Sequence, residues 1–119
     1  MCTAPPLIQP LPPPGHLAGR FDAVLCVRFL ERSLLPRVAS LLRPGGCVLY
    51  STFLDLPGVR AAGRPRGPER LLQLGELAGR WFGPAQGFEV VRDGVAVTAD
   101  GRELTMFVAR KAVHGGTRQ

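Results

Sequence analysis

The chain has 119 residues, which suits one small domain or part of a larger one, and 45% of them are hydrophobic, which argues against wholesale disorder. Fifteen Lys and Arg residues against nine Asp and Glu give a formal net charge of +6. Lys111 is the only lysine, and the chain has 15 Gly and 12 Pro. This bias is as typical of a GC-rich coding sequence as of a protein that binds anions.

The cysteines and histidines do not form a metal-binding pattern. Cys2, Cys26 and Cys47 form no CxxC pair, and His16 and His114 lie near the two ends of the chain, so we expect no metal site. The odd number of thiols favours a reduced, intracellular setting, and we expect the cytoplasm. No apolar run reaches the roughly 18 residues that a membrane span needs.

Residues 1–20 differ in composition from the rest of the chain. They contain six prolines, which fix the backbone and disfavour helix at the preceding residue, so a flexible segment is expected. A proline-rich ligand for another module is an alternative interpretation. We expect the folded part to span residues 21–112 and a flexible tail to occupy residues 113–119.

A strand, a helix and a second strand follow the proline-rich segment. FDAVLCV at 21–27 is a near-continuous apolar run, which predicts a strand covered on both faces. Ser33 is placed to cap a helix, and Pro44-Gly45-Gly46 predicts its end. CVLYSTFL at 47–54 predicts a second buried strand, parallel to the first because a helix joins them.

The middle of the chain predicts a loop followed by a weak helix. Residues 55–70 are interrupted by glycine and proline, which predicts a loop. Its four arginines are Arg60, Arg64, Arg66 and Arg70. A helix is expected over roughly residues 71–82, where two glycines weaken it by about 1 kcal/mol each.

The last third of the chain predicts strands only. FEVV at 88–91 is expected to form a third strand, followed by VAVT and ELTMFVARK. Asp100-Gly101 lies between the last two runs and predicts the turn of a hairpin. The predicted order is therefore β-α-β-α-β followed by a terminal hairpin.

This order, with Pro-Gly-Gly between helix and strand, resembles the C-terminal half of class I S-adenosylmethionine-dependent methyltransferases. In that family the fourth and fifth strands of a seven-stranded sheet are joined by a helix ending in PGG, and the last strand inserts antiparallel. FDAVLCV resembles the fourth strand, LLRPGGCVLYSTF the helix end and fifth strand, and ELTMFVARK the seventh. The resemblance implies a partial Rossmann-like α/β fold over about residues 21–112, without the first half of the sheet.

A narrower resemblance is to a bacterial-type branch with motifs like NRYLHRPL and, later, GRPRNP, LL and GEL. This chain has VRFLERSL at 27–34, GRPRGP at 63–68, LL at 71–72 and GEL at 75–77. Val27 replaces the asparagine and Glu31 replaces the histidine. Two polar side chains are therefore absent at the carboxyl end of a strand, where open α/β sheets bind ligands.

The resemblance implies S-adenosylmethionine as the cofactor. The family holds it with a glycine-rich turn after strand one and an acidic residue that ends strand two. Neither motif precedes Phe21, since Gly15 and Gly19 have no strand before them. We expect the chain alone to bind the cofactor poorly and to have little or no methyltransferase activity, which leaves open whether it acts as an enzyme. A gene fragment, an isoform, a degenerate relative and a split enzyme all fit this expectation.

Five residues are candidates for substrate binding: Arg28, Phe29, Thr52, Arg64 and Arg66. Arg28 follows the first strand, where its guanidinium could bind a carboxylate or form a salt bridge with Glu31 or Asp55. Phe29 could line a pocket or belong to the core, and Thr52 lies near the carboxyl end of the second strand. Arg64 and Arg66 could bind an anion or simply be solvated. The sequence indicates no catalytic set and does not identify the methyl acceptor.

The alternative function is a small basic interaction module that binds RNA or a protein through the sheet edge and the arginine-rich loop. In the complete fold, strand 21–27 pairs with strand one, so its outer edge is expected to be open here. Open edges favour self-association or pairing with the missing half. Binding to nucleic acid is expected to be weak and sensitive to salt.

Overall fold

The computed structural model describes residues 17–63 and 67–113 and contains one four-stranded sheet. Its strands are β1 (Phe21–Val27), β2 (Leu42–Ser51), β3 (Phe88–Val97) and β4 (Glu103–Lys111). The spatial order is β1-β2-β4-β3, with β1 parallel to β2 and β4 antiparallel to both of its neighbours. The expected partial Rossmann-like α/β fold is confirmed, including a last strand that inserts antiparallel.

Among the described residues, two short α-helices, a π-helical turn and three 3₁₀ turns accompany the sheet; the 3₁₀ turns are Arg32–Leu34, Pro68–Arg70 and Pro84–Gln86. Helix α1 spans Leu35–Leu41, helix α2 spans Pro57–Ala62, and the π-helical turn spans Leu77–Trp81. Helix α1 and the π-helical turn pack on one face of the sheet, where the largest fully buried side chains lie. These include Leu35, Leu42, Val48, Tyr50, Phe82 and Phe107.

The opposite face of the sheet is largely uncovered among the described residues. Leu25 is 68% exposed and Val27 is 55% exposed, and both lie on β1. Leu49, which pairs with Leu25, is 37% exposed on β2. The prediction that residues 21–27 form a strand is confirmed, but the expectation that both of its faces are covered is wrong for this part of the chain.

Helix α1 is shorter than predicted. Ser33 does not cap it, because the Ser33 hydroxyl donates to the Glu31 carboxylate at 2.9 Å and the helix begins two residues later. Pro-Gly-Gly does not form the helix end but lies inside β2, which starts directly after α1. Gly46 is needed there, since a Cβ at this position would lie 2.9 Å from the Asp22 carbonyl oxygen.

Helix α2 forms where the sequence predicted only a loop. The Glu103 carboxylate on β4 accepts hydrogen bonds from the Gly58 and Val59 amides at 3.1 and 2.9 Å. These amides lie in the first turn of the helix, where backbone donors have no partner within the helix. A Cβ on Gly58 would approach the Gly101 carbonyl oxygen to 2.0 Å, so only glycine fits. A contact distant in sequence, which local patterns do not reveal, therefore stabilises α2.

The helix predicted over residues 71–82 is reduced to the π-helical turn. Gly75 has a φ of 80°, which breaks the helix, and Leu72 is extended and bridges Leu54. FEVV and VAVT are not separate strands, because pairing with β4 joins them into β3, with a register shift between Val90 and Arg92. The predicted hairpin turn is present, and Gly101 has a φ of 89° there.

A partly buried ion pair connects the segment after β1 to residues 69–81. The Glu76 side chain is 4% exposed, and the Arg32 Nε–H donates to one of its oxygens at 2.6 Å. The Trp81 indole N–H and the Gln73 amide also donate to this carboxylate, each at 3.0 Å. Arg32 further donates to the Leu71 carbonyl at 2.8 Å. One carboxylate thus stabilises a region that glycines leave without regular helix.

This network predicts a specific acid dependence of stability. Burial opposes ionisation of Glu76, but the hydrogen bonds from Arg32, Trp81 and Gln73 outweigh it and lower the pKa from 4.5 to about 2. A lowered pKa means that the free energy of unfolding falls as the pH drops from about 4.5 to about 2. Glu76→Gln should lower the free energy of unfolding by about 2 kcal/mol at neutral pH.

Urea unfolding of wild type and Glu76→Gln across that pH range checks the prediction. The variant should have lost this part of the acid dependence. Glu89→Gln, the same change at an exposed position of β3, serves as the control and should change stability by less than about 0.5 kcal/mol. Equal effects of the two substitutions would contradict the assignment.

Candidate functional site

A cavity of about 390 Å³ opens beside the carboxyl ends of β1 and β2. Its walls come from the segment after β1, the segment after β2, the loop before the π-helical turn and the hairpin. The lining residues are Arg28, Phe29, Leu30, Thr52, Phe53, Arg70 and Arg102. This is the edge of an open α/β sheet at which ligands bind. Its size is in the range of small-molecule sites.

Arg28 occupies an unusual backbone position at this cavity. Its φ is 54°, in the left-handed region, while its amide donates to the Ser51 carbonyl at 2.7 Å and so extends the pairing of β1 with β2. The guanidinium carbon lies 5.1 Å from the centre of the Phe53 ring, a cation–π contact. Among the described residues, Arg28 forms no salt bridge with Glu31 or Asp55.

Arg102 approaches the same ring from the hairpin. Its guanidinium carbon is 4.4 Å from the centre of the Phe53 ring. Of the guanidinium nitrogens of Arg102, only Nε donates to the Asp100 carboxylate, at 3.0 and 3.2 Å. Two cations therefore lie against one aromatic ring that is itself 7% exposed. The sequence did not indicate Arg102 or Phe53 as site residues, because only the pairing of β4 with β2 brings the hairpin to this cavity.

Phe29 is held at the cavity by the single tyrosine of the chain. The Tyr50 side chain is buried, and its hydroxyl donates to the Phe29 carbonyl at 2.5 Å. The Phe29 side chain itself is 41% exposed. The hydrogen bond fixes the backbone after β1, so the position of Phe29 depends on a buried residue of the neighbouring strand.

Thr52 is 3% exposed and lines the same cavity. Its carbonyl accepts a hydrogen bond from the Thr105 amide at 2.9 Å, which fixes its backbone against β4. Three of the five candidate residues, Arg28, Phe29 and Thr52, thus lie around one cavity. Arg64 and Arg66 lie outside the described residues, and their role stays a prediction.

The other arginines of the loop have separate environments. Arg60 forms an ion pair with Asp55, with 2.5 Å between Nε and the carboxylate. Gln73 and Arg60 both donate hydrogen bonds to Asp55 and lower its pKa. Arg70 instead lines the cavity with an exposed side chain. The arginine-rich loop is therefore not one uniform basic patch in the part that the structure describes.

Within residues 17–63 and 67–113, no group of three histidine, cysteine or acidic side chains could hold a metal ion. Cys26 is a buried free thiol, and Cys47 is a half-buried one. None of the helices in these two ranges is long and apolar enough to cross a membrane.

Comparison with solved structures identifies the fold. The chain superposes on the [4+2]-cyclase SpnF with a TM-score of 0.62 and 18% identity, covering 87% of this chain and 53% of SpnF. It is similar to a SAM-dependent methyltransferase from Methanosarcina mazei, with a TM-score of 0.61, 15% identity and coverage of 82% and 62%. Magnesium protoporphyrin IX methyltransferase from Synechocystis PCC 6803, solved with bound SAH, gives a TM-score of 0.58, 15% identity and coverage of 85% and 49%.

Sequence comparison adds one curated relative, an uncharacterized protein of Schizosaccharomyces pombe. The two are 34% identical over 92 residues, which is 77% of this chain and 27% of that protein. No protein-family model matches the chain. The chain therefore spans about a quarter of this relative and about half of the three solved structures.

These likenesses show the fold of the chain. It has part of the class I S-adenosylmethionine-dependent methyltransferase fold, as the structural neighbours and the sheet order both indicate. Identities below 25% leave the reaction undetermined, because one fold supports many functions.

Ionisation of Tyr50 tests the packing behind the cavity. Burial, followed by the charge of a nearby Cys26 thiolate, raises the pKa of Tyr50 above its ordinary value of 10.0. The folded protein should therefore resist tyrosine ionisation and lose stability as the pH rises above about 10, because the unfolded chain ionises first. Ultraviolet absorbance of the single tyrosine, followed with and without urea, measures the shift. Reversible ionisation near pH 10 in a protein that remains folded by circular dichroism would contradict it.

Proposed function

We propose that these residues form the carboxyl-terminal half of a S-adenosylmethionine-dependent methyltransferase unit, and that this half does not bind the cofactor alone. The observation that carries the proposal is the sheet order β1-β2-β4-β3, with β4 antiparallel to both neighbours. This order corresponds to strands four, five, seven and six of the family's sheet. Strand one, with its glycine-rich turn, would then pair with the open side of β1.

The exposed surface of β1 supports the same proposal. An outer edge with apolar side chains on an uncovered face is a site where another strand and helices can pack. Leu25, Val27 and Leu49 form such an apolar area, and α1 covers only the other face. We infer that its occupant is the nucleotide-binding half of the fold, whose helices would cover these three side chains.

The cavity has the position expected for the methyl acceptor. Methyl transfer mainly requires that the acceptor atom be held in line with the sulfonium methyl group at near-attack distance. In this proposal, the residues around the cavity orient the acceptor, while the other half positions the cofactor. Thr52 and the backbone after β1 form the part of the wall nearest the strand ends.

The first test concerns the cofactor. The 119-residue chain should show no saturable binding of S-adenosylmethionine at tens of micromolar, since no glycine-rich turn or ribose-binding carboxylate precedes β1. Isothermal calorimetry measures this directly. A one-to-one site in that concentration range would overturn the proposal that the cofactor depends on another half.

The second test concerns the open edge. The Arg28 amide bonds to β2, and hydrogen-bonding directions alternate along a strand, so the Leu25 and Val27 amides point away from β2. Hydrogen exchange at these two amides should be fast in dilute solution and slower at higher concentration, where light scattering should show self-association. The Val24 and Cys26 amides should be protected at both concentrations.

Leu25→Lys should suppress the self-association without unfolding the protein, because the Leu25 side chain is 68% exposed. Leu74→Lys is the matched control, since Leu74 is 65% exposed and lies outside the sheet. A monodisperse monomer with strongly protected Leu25 and Val27 amides would show that the edge is already paired. Equal effects of the two lysine substitutions would exclude the sheet face as the association surface.

A further inference from the structure

The cavity at the ends of β1 and β2 has an unbalanced charge. Arg28, Arg70 and Arg102 contribute three guanidinium groups to its lining, which contains no acidic residue. Its remaining lining is mostly apolar and includes Phe29 and Leu30. Asp100, which pairs with Arg102, lies outside this lining, so the cations are only partly compensated. Such cations in a partly enclosed space attract an anion more strongly than cations dispersed over the surface.

The terminal guanidinium nitrogens of Arg28 and Arg102 have no described acceptor and can bind a ligand. Arg28 has no side-chain hydrogen bond or ion pair among the described residues, and its one recorded contact is the Phe53 ring. Asp100 uses only the Nε of Arg102, which leaves both terminal nitrogens of that guanidinium without a described acceptor. Terminal guanidinium nitrogens form the planar fork that binds the two oxygens of a carboxylate or phosphate.

The backbone at Arg28 gives independent evidence. A left-handed conformation is unfavourable for a side chain with a Cβ, by about 1 kcal/mol or more, and glycine adopts it without this cost. Residues in such conformations cluster at ligand-binding sites. Here the conformation lies at the turn after β1 that brings the guanidinium to the cavity.

From these contacts we propose that the cavity binds a small organic oxyanion. The anionic group binds between the terminal nitrogens of Arg28 and Arg102, and the apolar part of the molecule packs against Phe29. Binding requires neither the cofactor nor methyl transfer, and only the identification of this anion as the methyl acceptor rests on the proposed function. The ligand class is a carboxylate or phosphate ester of a size that fits about 390 Å³.

A second cavity differs in that two of its charged side chains pair with one another. It is lined by residues that include Arg32 and Glu76, but these two side chains bind one another at 2.6 Å. Its charges are therefore largely compensated within the protein. The cavity at Arg28 and Arg102 differs because Arg28 forms no ion pair among the described residues, and Asp100 engages Arg102 only through Nε, which leaves the terminal nitrogens of Arg102 without a described acceptor.

Fluorine NMR relaxation of small ligands tests the proposal, and this readout remains usable if the protein self-associates. The probes are 4-fluorobenzoate, 4-fluorophenyl phosphate and the neutral 4-fluorobenzyl alcohol, each titrated against the full 119-residue chain. At least one anion should bind saturably and about tenfold or more tightly than the alcohol. Comparison of the two anions distinguishes a carboxylate site from a phosphate site.

Two substitutions at the cavity and one control on β3 show where the anion binds. Arg28→Gly suits the left-handed backbone and should preserve the fold, while Arg102→Gln removes the second cation. Each should weaken anion binding by about tenfold. Arg92→Gln removes the same charge from an exposed position on β3 and should change binding by less than about twofold.

The proposal is overturned if neither anion binds saturably or if the alcohol binds as tightly as the anions. Unchanged affinity in Arg28→Gly or Arg102→Gln would exclude binding between these two side chains. An equal loss in Arg92→Gln would show that only the overall positive charge matters. None of these results depends on S-adenosylmethionine, so they are independent of the calorimetric test of the methyltransferase proposal.

Discussion

The ion pair between Arg32 and Glu76 is the interaction on which the region around the cavity depends. The segment from residue 67 to residue 87 contains several glycines and little regular helix, so its backbone cannot maintain a fixed position through local hydrogen bonds. Glu76 supplies a buried acceptor for donors from Gln73 and Trp81 in this segment and from Arg32 after β1. Arg32 adds a bond to the Leu71 carbonyl. A buried carboxylate is stable only with such a complete set of partners. The same contacts hold the loop with Arg70 next to the segment that follows β1.

The sheet imposes a second constraint, because its two faces differ. One face packs against α1 and the π-helical turn and contains the large buried aromatic side chains. Leu25 and Val27 on the other face remain exposed in the described part of the chain. Strands of parallel sheets are normally covered on both faces, since their crossover connections place helices there. Lys111 holds the end of α1 against the covered face, because its ammonium donates to the Ala39 and Leu42 carbonyls.

The sequence predicted the parts of this fold that depend on local patterns. The apolar run of β1, the crossover to β2 and the turn at Asp100-Gly101 depend on hydrophobicity and turn chemistry, and all three were confirmed. The errors occurred where distant contacts outweigh local preference. Glu103 stabilises a helix where proline and glycine predicted a loop. Pairing with β4 continues β3 through Asp93 and Gly94, which ordinarily disfavour strands. Arg28 and Phe29 could be found because they follow a predicted strand, and Thr52 because it lies near the carboxyl end of the next one. Arg102 comes from a hairpin whose position depends on the whole sheet.

The side chains at the cavity are more informative about function than the fold is. The neighbours with this fold include both methyltransferases and a [4+2]-cyclase, so the sheet order alone does not determine a reaction. Function must follow from the side chains at the strand ends. In this chain those side chains include two arginines against one phenylalanine ring, one of them in a left-handed conformation, beside a mainly apolar wall. Such a set can hold and orient an anion. In the proposed methyltransferase unit, this cavity would position the acceptor, and the proposed other half would supply the reactive group.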